Sequence, residues 1–158
     1  MSFTVLIDGP SGAGKTTLAN LMGRALGMEV VHLDDFYPGW GGLAEGARMV
    51  AEDVLRPRDP GYWRWDWKHD RRGEWVALDP AADLIVEGVG ALTGASLSAA
   101  RARGSVVAIR VIAPAEVRKR RALARDPGFA PYWDMWAAQE ARLGAGADAD
   151  VTVTLMRG

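Results

Sequence analysis

The sequence contains no cysteine and very little lysine. Without cysteine, neither a disulfide framework nor a thiolate metal site can form. The only three lysines are Lys15, Lys68 and Lys119, and the other basic residues are arginines in a chain also rich in alanine. We interpret this as compositional bias, so the abundance of arginine is not by itself a sign of function.

Long apolar runs and an excess of charge are also missing. No uncharged run approaches transmembrane length, and the N-terminus has no basic segment followed by an apolar one, so we expect a cytoplasmic protein without membrane contact. A net charge of -1 argues against a dedicated nucleic-acid binder. With 158 residues, 49% of them hydrophobic and 25% charged, residues 1–158 are expected to form one globular domain.

One stretch near the N-terminus combines a hydrophobic run, a glycine-rich turn and a helical pattern. Residues 3–7 suit a buried strand, and residues 18–25 carry apolar side chains at helical spacing. The segment between them fits G-x-x-x-x-G-K-[ST], the P-loop, in which backbone N–H groups and a helix dipole bind phosphates. We therefore expect Lys15 to reach the β- and γ-phosphates and Thr16 to bind Mg²⁺. The predicted nucleotide-binding residues are Gly9, Ser11, Gly12, Ala13, Gly14, Lys15, Thr16 and Thr17.

Two further hydrophobic runs end in acidic residues. Residues 29–33 lead into Asp34 and Asp35, and residues 84–86 lead into Glu87. Ligands gather at the carboxyl ends of strands in open α/β sheets, so these carboxylates are expected beside the P-loop. Glu87 fits the Walker B pattern, in which a carboxylate holds Mg²⁺ directly or through water. One of the two aspartates could instead cap the next segment or form a turn.

Residues 62–75 are unusually rich in tryptophan. Their alternation predicts a hairpin over residues 62–78, with a turn at residues 70–73. In that arrangement one face carries Trp63, Trp65 and Trp67, and the opposite face carries Tyr62, Arg64 and Asp66. The tryptophans either pack the hairpin onto the domain or include one or two rings that face a planar ligand.

A basic helix is predicted after Pro114. Arg118, Arg121 and Arg125 fall at i, i+3 and i+7, which places their guanidinium groups on one stripe. Such a stripe is either a solvated basic face or a clamp for the transferring phosphoryl group. We expect residues 118–131 to form a lid.

The order of the elements predicts the fold class. Five strand segments, the last at residues 151–155, alternate with helices, and the P-loop follows the first strand. This order indicates a three-layer α/β P-loop NTPase fold, with a five-stranded parallel sheet, helices on both faces and a small hairpin insertion.

The motifs together resemble the uridine kinase branch of the P-loop kinases, which includes phosphoribulokinase and bacterial pantothenate kinase. IDGPSGAGKTT resembles the P-loop of that branch, LDDFY its D-S-F-Y segment, IVEGV its magnesium-binding strand and VRKRRALARD its lid. The resemblance implies that Asp34 is the catalytic aspartate, that Glu87 serves Mg²⁺, and that Arg118, Arg121 and Arg125 bind phosphate.

The resemblance extends to the hairpin, with two departures. The tripeptide at residues 65–67, followed by His69 and Arg71, is similar to the Y-D-F and His/Arg pattern of the nucleoside-binding hairpin. Trp65 stands where the family has tyrosine, and His69 lies one residue closer than in the family. The implied substrate-binding residues are Asp35, Tyr37, Tyr62, Arg64, Trp65, Asp66 and His69.

These observations predict an ATP- and Mg²⁺-dependent kinase for a small hydroxylated molecule. Lys15 and the three arginines would act on the phosphates, Thr16, Glu87 and Asp34 would hold Mg²⁺, and Asp34 would accept the proton of the acceptor. A nucleoside such as uridine or cytidine is the favoured acceptor. The alternatives are another metabolite as acceptor, or a non-catalytic ATP-binding regulatory module. The sequence leaves a homo-oligomer open.

Overall fold

A computed structural model of the chain describes residues 2–154. Its central sheet contains five parallel strands: β1 (Ser2–Asp8), β2 (Glu29–His32), β5 (Leu84–Glu87), β6 (Gly104–Ile112) and β7 (Val151–Thr154). A separate antiparallel hairpin consists of β3 (Gly61–Asp66) and β4 (Arg71–Ala77). The strand order in the central sheet is β2-β5-β1-β6-β7. The predicted fold class is therefore confirmed, while the predicted end of the last strand at Leu155 lies outside the described residues.

Helices cover both faces of the sheet. They are α1 (Lys15–Leu26), α2 (Leu43–Met49), α3 (Gly94–Arg103), α4 (Ala115–Arg125) and α5 (Trp133–Leu143). Short 3-10 helices span Leu33–Asp35 and Pro127–Tyr132, and α2 continues into a π-helical turn at Val50–Val54. Within residues 2–154, none of the helices combines the length and the apolar character needed to cross a bilayer.

The three layers follow from the alternation of side chains along the strands. In β1, Leu6 packs into a cluster with residues of α2 and α3, whereas Val5 and Ile7 pack into a second cluster on the α1 face. These three side chains are no more than 1% exposed. Full burial of such a side chain contributes about 1.5–3 kcal/mol, so β1 is held firmly at the centre of the sheet. The loops at its carboxyl end are fixed accordingly.

Local capping sets the ends of several helices. Gly14, with φ 103°, precedes the first residue of α1, and Gly27, with φ 66°, ends this helix in the left-handed conformation. Thr93 caps α3 through a reciprocal pair of hydrogen bonds with Ser96. Pro114 directly precedes α4, where the missing N–H costs nothing.

Candidate active site

The P-loop lies between β1 and α1 and is packed tightly against two other elements. A Cβ atom on Gly9, whose φ is 150°, would lie 2.0 Å from the carbonyl oxygen of Val111 in β6. A Cβ atom on Gly12, whose φ is 79°, would lie 2.1 Å from the carbonyl oxygen of Arg118 in α4. Only glycine has both the conformational freedom and the small size that these positions require. The loop is thus held between the sheet and the arginine-bearing helix.

Lys15 lies inside this loop. Its side chain is 7% exposed, and its ammonium group donates a hydrogen bond to the carbonyl oxygen of Pro10 at 2.9 Å. Burial lowers the pKa of Lys15, while the charges of Glu87 and Asp34 act in the opposite direction. The nearby acids therefore favour the charged form that an anionic ligand would meet.

Two carboxylates that the sequence did not single out hold the P-loop in place. Asp8 accepts hydrogen bonds from the backbone N–H groups of Gly9 at 2.6 Å, Gly90 at 3.1 Å and Leu92 at 2.8 Å. Glu140 in α5 accepts from both the backbone N–H and the hydroxyl of Ser11, at 3.0 and 2.9 Å. A polar residue at the end of β1 was a signal for Asp8, whereas no local pattern connects Glu140 with Ser11.

The other predicted nucleotide-binding residues differ in their exposure. Ala13 is fully buried in the core cluster on the α1 face, and Thr17 is exposed. Gly12, Gly14, Lys15 and Thr16 line a common cavity together with Ser11.

Three oxygen-bearing side chains meet beside the P-loop. The hydroxyl of Thr16 donates to Oε1 of Glu87 at 3.1 Å, and Asp34 lines the same cavity. Hydroxyl and carboxylate oxygens are the donors that Mg²⁺ prefers, and Mg²⁺ at nucleotides usually needs only one or two protein carboxylates. Residues 2–154 contain no group of three or more acidic or histidine side chains arranged to hold a metal ion by themselves. The donor set therefore fits Mg²⁺ shared with phosphates.

His32 is a neighbour of Glu87 that sequence reasoning missed. The two residues are register partners on the adjacent strands β2 and β5, and Nδ1 of His32 lies 2.6 Å from Oε1 of Glu87. This hydrogen bond is the main reason why the pKa of His32 is raised. Glu87 is itself only 2% exposed. A histidine two residues before the acidic pair was the available signal.

The two adjacent aspartates after β2 have different surroundings. Asp34 lines the cavity, whereas Asp35 is half-buried and lies outside the cavity lining. Asp34 is exposed where it lines the cavity, but the surrounding protein still desolvates its carboxyl, and this raises its pKa. The charge of Glu87 adds to that effect, and the positive charges of Lys15 and Arg125 oppose it. Asp34 thus lines the same cavity as Lys15 and Thr16 of the P-loop.

The arginine stripe faces the P-loop. Nη1 of Arg118 lies 3.4 Å from the carbonyl oxygen of Ser11, and its Nε donates to the carbonyl oxygen of Ala113 at 3.1 Å. Nη1 of Arg121 lies 3.4 Å from the carbonyl oxygen of Gly12. Arg125, at the end of α4, lines the cavity. Arg118 and Arg121 are therefore directed towards the backbone of the P-loop but lie outside the cavity lining, whereas Arg125 lines the cavity at an exposed position.

A cavity of about 320 Å³ extends from the P-loop to a group of aromatic side chains. On the aromatic side it is lined by Tyr37, Trp40, Trp67, Phe129 and Trp136, with Gly88 and Val89 from the segment after β5. Tyr37 is buried, and its hydroxyl donates to the carbonyl oxygen of Val89 at 2.6 Å.

Most of the predicted hairpin residues lie outside this lining. Tyr62 is 6% exposed and packs on Phe36 with 5.1 Å between ring centroids. Arg64 is exposed, with Nε 3.7 Å from Oε1 of Glu74. Trp65 is half-buried and also stands apart from the cavity lining.

Asp66 and His69 serve the turn of the hairpin. Asp66 accepts from the backbone N–H groups of Lys68 and His69, and one of its oxygens lies 2.8 Å from Nδ1 of His69. Hydrogen bonding by His69 lowers the pKa of Asp66, although the His69 side chain is exposed and that of Asp66 is partly exposed. Neither residue belongs to the cavity lining.

The predicted faces and turn of the hairpin were wrong for a geometric reason. The register shifts between Trp63 and Trp65, so the strict alternation of faces is broken there. The strand ends at Asp66, and the turn occupies residues 67–70 instead of residues 70–73. As a result Trp67, and not Trp65, reaches the cavity, where its indole N–H donates to the carbonyl oxygen of Asp34 at 2.8 Å.

Trp40 connects the aromatic groups of three elements. Its ring stacks on Tyr132 at 4.5 Å with an interplanar angle of 6°, and it contacts Trp67 at 5.1 Å, Phe129 at 5.0 Å and Trp136 at 6.2 Å. The sequence analysis did not single out this residue. A tryptophan among glycines was its one local signal.

Gln139 of α5 holds the Trp40 loop. Its Nε2 donates to the carbonyl oxygen of Trp40 at 2.6 Å, and its Oε1 accepts from the backbone N–H of Leu43 at 3.3 Å. One side chain thereby satisfies two backbone groups at the start of α2.

Comparisons with known proteins agree with this fold. No protein-family model matches the chain. A probable gluconokinase from Schizosaccharomyces pombe is 32% identical over 71 residues, which are 45% of this chain and 33% of the relative, so the match spans about a third of that protein's length.

Three solved structures are similar over almost the whole chain. A putative fructose transport system kinase from Silicibacter sp. TM1040 is 22% identical with a TM-score of 0.62, and covers 96% of this chain and 88% of its own. A sugar kinase from Janibacter sp. HTCC2649 is 20% identical with a TM-score of 0.60, covering 99% and 86%. A possible uridine kinase from Bacillus stearothermophilus is 17% identical with a TM-score of 0.55, covering 96% and 88%. The chain has the three-layer α/β fold of small-molecule P-loop kinases.

Proposed function

We propose that the protein is an ATP-dependent kinase that transfers the γ-phosphoryl group to a hydroxyl of a small molecule, with a nucleoside such as uridine or cytidine as the favoured acceptor. One observation carries the proposal: Lys15, Thr16, Glu87 and Asp34 line the same cavity. A phosphate site, a magnesium site and a base therefore open onto one space, which also has room for an acceptor.

The donor half of the reaction rests on the P-loop. Its backbone N–H groups and Lys15 would bind the β- and γ-phosphates, and Arg118, Arg121 and Arg125 would neutralise charge on the transferring group. Thr16 and Glu87, with Asp34, would hold Mg²⁺, which supplies additional neutralisation of the phosphate oxygens when bound.

The acceptor half rests on Asp34. Its carboxylate would accept the proton of the acceptor hydroxyl while that oxygen forms a bond to the γ-phosphorus, and the bond to the β–γ bridging oxygen breaks to release ADP. Because Asp34 lines the cavity and Asp35 does not, the geometry favours Asp34 as the base. Its raised pKa makes it a stronger base than an ordinary carboxylate.

We propose that residues 118–131 form a lid that closes over the site. This segment carries the arginine stripe and Phe129, which lines the cavity. A lid there would exclude water, which otherwise hydrolyses ATP.

A non-catalytic ATP-binding module is the second candidate. It would bind nucleotide without needing a base or an acceptor cavity, and the cavity-facing Asp34 is the observation against it. Another metabolite in place of a nucleoside would keep the same chemistry.

The experiment is an ADP-release assay with MgATP and a panel of nucleosides and other hydroxylated metabolites. We expect release that depends on an acceptor and that Lys15→Ala abolishes. Lys119→Ala, on an exposed position of α4, is the matched control and should retain turnover. ATP binding without stimulation by any acceptor would favour the regulatory module, and full turnover in Lys15→Ala would contradict the P-loop assignment.

A further inference from the structure

An aromatic wall adjoins the proposed base. We define this wall as Trp40, Trp67, Phe129 and Trp136, all of which line the cavity. Trp67 is attached directly to the backbone of Asp34 through its indole N–H, at 2.8 Å. Trp40 contacts the other three rings, with centroid distances of 5.0–6.2 Å. The wall is therefore continuous and begins at Asp34.

The charges around the cavity are unevenly distributed. Among the described residues that line it, the acids are Asp34, Glu87 and Asp126, and the bases are Lys15 and Arg125. Lys15 is buried in the P-loop, and Arg125 lies close enough to Asp34 to oppose the rise in its pKa. In the mechanism proposed above, both cations act on the transferring phosphoryl group.

An anionic acceptor would find no counter-ion of its own in this lining. A carboxylate or phosphate on the acceptor would face like charges on Asp34 and Asp126, and it would compete with ATP for the two cations. The faces of aromatic rings carry partial negative charge, so they also disfavour an anion. They instead bind flat apolar surfaces, and each contact contributes through burial and stacking.

We propose that the acceptor carries no negative charge and presents a ring or another flat apolar face to the aromatic wall, with Trp67 as a contact residue and the reacting hydroxyl at Asp34. This inference rests on the proposed kinase function and narrows its substrate class. Gluconate, the acceptor in the name of the curated relative, is a carboxylate and lies outside this class.

The hairpin supplies a matched control for Trp67. Trp63 and Trp67 are both 38% exposed. Trp63 packs on Trp75 at 5.2 Å beneath the guanidinium of Arg72 and does not belong to the cavity lining. Alanine at either position removes an equally exposed indole, but only Trp67→Ala changes the aromatic wall.

The experiment compares ring-bearing acceptors that differ in one carboxylate: uridine with 5-carboxyuridine, and methyl glucoside with methyl glucuronide. Binding is measured by calorimetry with Mg²⁺ and a non-hydrolysable ATP analogue, and turnover by ADP release. We expect the neutral member of at least one pair to bind and to react, and to be preferred by at least about 100-fold over its carboxylate. Trp67→Ala should raise the acceptor KM about tenfold with little change in the ATP KM. Trp63→Ala should change neither.

The inference is overturned if a carboxylate member is used as well as its neutral partner, if no neutral member binds, or if the two alanine variants behave alike. Failure of the kinase function is a different result. There the ATP analogue does not bind, or acceptors bind without phosphoryl transfer, and in the second case the preference for neutral acceptors is still measured by calorimetry.

Discussion

Replacing Asp8 by asparagine should destabilise the whole domain, although the two side chains have nearly the same shape. One oxygen of Asp8 accepts from the N–H groups of Gly9 and Gly90, and the other accepts from the N–H of Leu92. Asparagine has a single acceptor oxygen. Whichever way its amide turns, an NH₂ group faces at least one backbone N–H in a site where the side chain is only 7% exposed.

The size of the effect follows from these three bonds. A hydrogen bond to a charged group contributes about 1.5–3 kcal/mol, and an unsatisfied buried donor costs about 1–3 kcal/mol. Losing one bond outright and weakening the others should lower the free energy of unfolding by about 2–4 kcal/mol. For a domain of this length that corresponds to a fall in Tm of roughly 5–15 °C.

Urea denaturation followed by tryptophan fluorescence measures this change. Asp83→Asn is the control, because within residues 2–154 Asp83 accepts a single backbone N–H, that of Phe3, at an exposed position. Its loss should cost less than about 1 kcal/mol. If Asp8→Asn stays within about 0.5 kcal/mol of the wild type, or costs no more than Asp83→Asn, the reasoning about buried charged acceptors is refuted.

Three further outcomes are expected. Lys15→Ala should abolish phosphoryl transfer while the circular dichroism spectrum stays unchanged. If this variant does not fold, Lys15→Arg, which keeps the positive charge, is used to test the role of the ammonium group. Asp34→Asn should lower kcat at least about 100-fold with little change in ATP affinity by calorimetry, and an equal effect confined to Asp35→Asn would exchange the two roles. Because the base must be deprotonated and its pKa is raised, kcat/KM should fall with decreasing pH already above the ordinary carboxyl range; a profile flat to about pH 4.5 would contradict this. Gly12→Ala should cost at least about 1 kcal/mol of stability and weaken ATP binding, whereas Gly94→Ala, with open space around its Cβ position, should not.

The fold and the positions of the residues around the P-loop were predictable because their signals are local. A hydrophobic run, a glycine turn and a helical pattern define the P-loop within about twenty residues. The positions of Asp34 and Glu87 followed from the rule that strand ends share one edge of a parallel sheet. The arginine stripe followed from helical spacing alone, and the structure turns it towards the P-loop.

The aromatic end of the cavity was less predictable because it depends on geometry that the sequence does not encode locally. Because the register shifts once between Trp63 and Trp65, Trp67 lines the cavity and Trp65 does not. The role of Trp40 depends on partners from the hairpin and from the segment before α5, far apart in the chain. Such contacts arise only when the elements have packed together.

The neighbouring anchors on α5 fix a distance in the molecule. Gln139 donates a hydrogen bond to the backbone of Trp40, and the next residue, Glu140, accepts one from the backbone of Ser11 in the P-loop. Adjacent residues of one helix keep a constant rise of about 1.5 Å and a constant rotation, so they cannot drift apart while the helix is intact. The spacing between the P-loop and the aromatic end of the cavity is thus fixed by α5. The proposed acceptor would have to match that span in length.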